Sequence, residues 1–168
     1  MRYLILSIML YLSMPAYAQQ TTVNNAALPD TAKFNSVCRV DSSISWVVAD
    51  SGRIYHQTTA GWSQIAVEGI KDYKLNSVFV LKDSPDYVWI VGTNENNGQN
   101  ILLKTNCGSA EKPRWKLIAD WSFADRLEFT SVKFDDPFTG YIHGLNGLLL
   151  QTHDGGNTWE RIPGGQKQ

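Results

Sequence analysis

The sequence predicts an all-β protein made of three four-stranded antiparallel units, on three observations. One segment recurs three times on a common frame, with a blade-like period. Each copy resolves into four short runs rich in Val, Ile, Leu and aromatics, separated by Gly, Asn, Asp and Pro. The last copy carries a hairpin-turn motif, Thr152-His153-Asp154-Gly155-Gly156-Asn157-Thr158-Trp159.

Residues 1–18 read as a signal peptide. Arg2 supplies the charge, Tyr3 to Leu12 an apolar run too short to span a bilayer, and Ala16-Tyr17-Ala18 an A-x-A cleavage site. The residue immediately after that site is Gln19 and not a cysteine, so a lipid anchor is disfavoured, and the expected location is periplasmic or secreted without membrane insertion after signal removal. Residues 19–33, rich in Thr, Asn and Ala, form a polar leader that is either flexible or adds one strand.

The repeat domain spans 34–168, with units at about 34–69, 70–124 and 125–163. The first runs open with Asn35-Ser36-Val37, Asn76-Ser77-Val78 and Thr130-Ser131-Val132. The second runs contain Trp46, Trp89 and Tyr141 at equivalent places. The third read Gly52 to Gln57, Asn100 to Thr105 and Gly147 to Thr152. The fourth begin at Trp62, Trp115 and Trp159, read as equivalent core positions because each buries a large ring. In the second unit Cys107 stands where Asp154 stands in the third, and in the first the turn shrinks to Thr58-Thr59-Ala60-Gly61.

The motif at 152–159 fills every specified position of S/T-x-D-x-G-x-T-W and resembles the Asp-box of the bacterial-neuraminidase (BNR) repeat. Over roughly residues 34–163 the units are similar to the repeat shared by BNR propellers and the photosystem II assembly and stability factor (Ycf48-like) family. The resemblance implies a partial β-propeller of three four-stranded antiparallel units. It also implies binding of another protein and help in assembling a membrane complex. The box residues Thr152, Asp154, Gly156, Thr158 and Trp159 have a structural role in this reading: the Asp accepts amide hydrogen bonds, and Gly155 and Gly156 take positive φ at little cost.

Composition narrows the function classes further. Fifteen Lys and Arg against 16 Asp and Glu give a formal net charge of −1, which is no footprint for nucleic acid or anionic lipid. Cys38 and Cys107 are candidates for one disulfide, with two unpaired thiols as the alternative. Sialidases share the BNR repeat, yet Arg39, Arg53, Arg114, Arg126 and Arg161 form no recognisable arginine triad, and Arg161-Ile162-Pro163 resembles the sialidase R-I-P element in the wrong place. His56, His143 and His153 lack metal-ligand spacing, although His143 breaks the repeat by replacing Val48 and Val91. Asp135-Asp136-Pro137 matches Asp83-Ser84-Pro85 and reads as a turn. No catalytic residue, metal site or cofactor is expected.

Candidate partner-binding residues lie outside the shared frame. Asn94, Asn96 and Asn97 occupy the lengthened loop Thr93–Gln99. Trp121 and Phe123, between the second and third units, either pack between them or anchor a partner. The sequence is therefore read as an exported non-catalytic binding or assembly module. The alternatives are a periplasmic immunity or inhibitor protein and a glycan-binding or sialidase-like protein. Three units in an open arc leave apolar flanks, so two copies are expected to associate as a homodimer of six units.

Overall fold

The structure, a computed structural model, describes residues 22–23, 28, 33–110, 112–119, 121 and 127–163. The signal peptide assigned to 1–18, most of the leader, and Phe123 and Arg126 lie outside the described residues. Three antiparallel sheets follow one another along the chain. The first contains β1 (Thr22–Val23), β2 (Phe34–Arg39), β3 (Ser45–Ala49), β4 (Ile54–Thr58) and β5 (Gly61–Ile65). The second contains β6 (Tyr73–Val80), β7 (Val88–Asn94), β8 (Asn100–Thr105) and β9 (Lys116–Ile118). The third contains β10 (Phe129–Phe134), β11 (Gly140–Gly144), β12 (Leu149–Thr152) and β13 (Glu160–Arg161). Within each sheet the four repeat strands pair in chain order, and β1 adds a fifth strand outside β5. Short connections allow only this up-and-down order.

The frame read from the sequence recurs in the strand registers: Trp46 pairs with His56, Trp89 with Lys104 and Tyr141 with Gln151. A β-bulge also recurs, between Phe34 and Ser36, Leu75 and Ser77, and Phe129 and Ser131. A bulge re-aims a side chain, and here the bulged asparagine reaches the next sheet. Asn35 Nδ2 donates to the Leu75 carbonyl at 3.0 Å, and Asn76 Nδ2 to the Phe129 carbonyl at 2.7 Å. The serine that follows accepts from the next sheet as well, Ser36 Oγ from the Val78 amide at 3.2 Å and Ser77 Oγ from the Val132 amide at 3.4 Å. The Asn-Ser openings of the first two units are thus clamps between blades.

Apolar burial is divided between two seams. Trp46, Val48 and Ile54 of the first sheet meet Leu75, Val78, Ile90 and Leu103 of the second. The opposite face of the second sheet presents Trp89, Val91 and Leu102 to Phe129, Val132, Phe134 and Ile142 of the third. Val88 to Gly92 on β7 are consequently all buried. The arc is open, with packing from the first sheet to the second and from the second to the third. The chain is an all-β protein of the propeller type, as its repeats imply.

Several placements differ from expectation. Trp115 is buried at 3% exposure, while Trp62 and Trp159 are only half-buried. Trp115 packs edge-on to Trp46 of the preceding sheet at 5.8 Å, whereas no described sheet precedes Trp62. Trp121, by contrast, takes the packing alternative: at 7% exposure it packs edge-on to Phe129 at 4.7 Å and its Nε1 donates to the Ile118 carbonyl at 3.1 Å. Cys38 and Cys107 are both free thiols, so the disulfide is not formed. Cys38 packs into the first seam on β2, and Cys107 is engaged within its own turn.

Candidate functional site

The Asp-box turn is held by its own side chains. Thr152, buried at the end of β12, donates its hydroxyl to Asp154 Oδ1 at 2.8 Å and accepts from the Gly156 amide at 2.9 Å. Asp154 Oδ1 accepts from the Asn157 and Thr158 amides, both at 2.9 Å, and Oδ2 from the Thr158 hydroxyl at 2.7 Å. Gly155 and Gly156 adopt φ of 72° and 83°, a region closed to most side chains. Burial alone would raise the Asp154 carboxyl. The hydrogen bonds from Thr158, Thr152 and Asn157 outweigh it and hold the group well below the usual carboxylate range.

The second unit builds the same turn with sulfur. The Cys107 amide donates to Thr105 Oγ1 at 3.1 Å, and Cys107 Sγ lies 3.3 Å from that hydroxyl while accepting from the Arg114 amide at 3.2 Å. Burial pushes the thiol up, but the Thr105 and Arg114 hydrogen bonds and the Arg114 charge bring it below its ordinary value. The sulfur of Cys107 therefore occupies the seat that the carboxylate fills in the third unit.

The Asp-box turn leans across the second seam. Lys104 Nζ on β8 donates to the Gly155 carbonyl at 2.9 Å and to Asn157 Oδ1 at 2.8 Å. Lys116 Nζ on β9 donates to the same Asn157 oxygen at 2.9 Å, and Trp89 Nε1 to the Gly155 carbonyl at 3.3 Å. Beside these contacts lies a cleft of about 400 Å³ walled by Tyr87, Trp89, Trp115, Arg114 and Phe138. Phe138 is 64% exposed. Burial, reinforced by repulsion from Lys116 and opposed by Asp154, brings Lys104 down to about 8. Three cations and several rings thus surround a cleft whose carboxylate, Asp154, is already saturated by hydrogen bonds. Such an opening suits a peptide carrying acidic and apolar groups. A smaller cleft of about 190 Å³ occupies the same place at the first seam, with His56 at the position of Lys104 and Pro85 at that of Pro137.

The other sequence candidates lie apart from this cleft. Asn94, Asn96 and Asn97 cap their own hairpin at the opposite ends of β7 and β8. Asn94 Oδ1 accepts from the Asn96 amide at 2.9 Å and Asn97 Oδ1 from the Gln99 amide at 2.9 Å. Asp136 likewise shapes a turn, accepting from the Phe138 and Thr139 amides at 2.7 Å each. Of the described arginines only Arg114 lines the cleft. His143 is exposed on β11. Among the described residues no group of three or more His, Cys, Asp or Glu could hold a metal ion. Sequence reasoning did not single out Lys104, Lys116 or Phe138; the available signal was that Lys104 replaces the His56 and Gln151 of the other units.

Comparison with known proteins agrees with this architecture. The model of the family described as photosynthesis system II assembly factor YCF48 matches residues 54–168. The chloroplastic photosystem II stability/assembly factor HCF136 of Oryza sativa subsp. japonica is 33% identical over 103 residues, which is 61% of this chain but 23% of the rice protein. A YCF48 bound to a D1 peptide superposes with a TM-score of 0.63 at 21% identity, covering 88% of this chain and 45% of that one. YCF48 from Cyanidioschyzon merolae gives 0.63 at 19% identity, covering 87% and 43%. The WD40 β-propeller domain of Doa1 gives 0.50 at 15% identity, covering 83% and 42%. The solved structures speak for the fold alone, and the chain spans less than half of each.

Proposed function

The chain belongs to the photosystem II assembly factor YCF48 family, whose model matches residues 54–168, and from that premise we propose that it is a non-catalytic assembly module that holds a peptide segment of a membrane-complex subunit between its second and third blades. The observation that carries this reading is the cleft itself, where Lys104, Lys116 and Arg114 stand among Tyr87, Trp89 and Trp115. Lys104 and Lys116 hold the turn, and Arg114 and Phe138 stand at its exposed mouth. A relative that is bound to a D1 peptide supports the same kind of partner. The absence of chemistry-bearing motifs from the sequence and the assembly role of the rice relative support a non-enzymatic module.

Export belongs to the proposal too, on the strength of Arg2, the apolar run Tyr3 to Leu12 and Ala16-Tyr17-Ala18. No helix among the described residues is long and apolar enough to cross a membrane. Calorimetric titration with a D1 peptide tests the binding reading. Arg114→Glu and Phe138→Asp change exposed residues, so both variants are expected to fold normally and to bind at least tenfold more weakly, about 1.4 kcal/mol. Equal affinity in wild type and both variants would remove the cleft from the function.

A further inference from the structure

We propose that the first seam carries a second, repeat-equivalent pocket that takes an uncharged aliphatic side chain of the same partner peptide, so that the partner is read at two adjacent seams. This rests on the peptide-binding reading of the second seam but concerns a different pocket. The two clefts share a wall: in the segment from Thr105 to Trp115, Ser109 lines the first and Asn106 and Arg114 line the second. A peptide crossing that wall meets both openings.

The chemistry of the first pocket is opposite to that of the second. Lys104, Arg114 and Lys116 surround the second, whereas no Lys, Arg, Asp or Glu among the described residues lines the first. His56 replaces Lys104 there. It is 5% exposed and stacked on Trp46 at 4.0 Å, and burial lowers it to about 4, so it is neutral at physiological pH. The two serines at the mouth have no proton left for an anion. Ser43 Oγ donates to Asp41 Oδ1 at 2.9 Å, and Ser109 Oγ donates to Asp86 Oδ1. Those two carboxylates behind the serines further disfavour an acidic group. The rest of the lining is Ile44, Pro85, the His56 ring and the side chains of Thr58 and Thr59, around about 190 Å³. A cavity of about 150 Å³ accepts benzene, so this space fits a branched aliphatic side chain.

The test uses blocked amino acids on the full chain, followed by NMR of the His56 ring, whose stacking on Trp46 makes its shift sensitive to any occupant. N-acetyl-leucinamide is expected to move the His56 resonance saturably, with N-acetyl-aspartamide and N-acetyl-lysinamide without effect. Thr59→Trp, an exposed position on the rim, is expected to abolish that response and to weaken D1-peptide binding severalfold, while Arg114→Glu leaves the leucinamide response intact. Silence of His56 toward leucinamide, or an equal response to the charged amides, overturns the pocket. If leucinamide binds and the D1 peptide does not, the pocket stands and the peptide reading of the second seam fails.

Discussion

Asp154 shows how much of a turn one carboxylate can organise. Four hydrogen bonds converge on it, two of them from backbone amides, and their preference for the anion keeps the group ionised far into acid. Asp154→Asn retains the shape but loses the charge-assisted bonds, and the expected cost is about 1.5–3 kcal/mol. The folded-state value lies below the unfolded one, so this stabilisation is complete above about pH 4 and is lost as pH falls toward the folded value. Urea titrations of wild type and variant at pH 7 and pH 3 check it: the gap between them narrows in acid. A variant as stable as wild type at pH 7, or a gap that widens in acid, contradicts the assignment.

The strands were legible in the sequence because their signals are local: alternating apolar residues, Gly and Asn at the turns, and a frame repeated three times. Asn35-Ser36 and Asn76-Ser77 were visible as repeat openings, but their clamp role was not, since it depends on a bulge that aims the asparagine at the next sheet. The cleft was hidden for a related reason. Its defining bond joins Lys104 to Gly155, 51 residues away across a seam, and a single sequence carries no signal of that pairing. Trp121 left two alternatives open because a large aromatic outside the frame looks the same whether it fills a seam or awaits a partner, and it fills the seam. The second seam also contains a buried polar element, Asn100, at 2% exposure. It donates to the Leu127 carbonyl at 2.7 Å and accepts from the Phe129 amide at 3.1 Å and the Thr93 hydroxyl at 2.8 Å. Asn100→Leu leaves these groups without their partner, so thermal unfolding is expected to report a loss of about 3 kcal/mol or more. A loss under about 1 kcal/mol would mean the asparagine does not tie the blades together.

At the scale of the whole molecule, the two outer faces differ from the inner seams. On the first sheet Phe34 and Val37 are 38% and 62% exposed, whereas Leu75 and Val78 are 0% and 5%, and Phe129 and Val132 are 0% and 4%. Arg39 takes the place of Val80 and Phe134. On the third sheet Lys133 stands in the position of Phe79, Tyr141 in that of Trp89 and His143 in that of Val91. Such a partly polar outer face is what a terminal repeat uses to remain soluble. The ring of two copies expected from apolar flanks would bring Lys133 toward Arg39, so a monomer is expected in sedimentation at micromolar concentration and low salt; a stable dimer there would show that the outer faces associate despite these charges. Binding of a partner peptide at the second seam is read directly by an NMR titration of the indole N–H groups with a D1 peptide. Trp89 and Trp115 are predicted to shift together and saturably while Trp62, on β5, stays still, and Arg114→Glu is predicted to abolish the response. Shifts that spare Trp89 and Trp115, or that persist unchanged in Arg114→Glu, would rule out peptide binding at this seam.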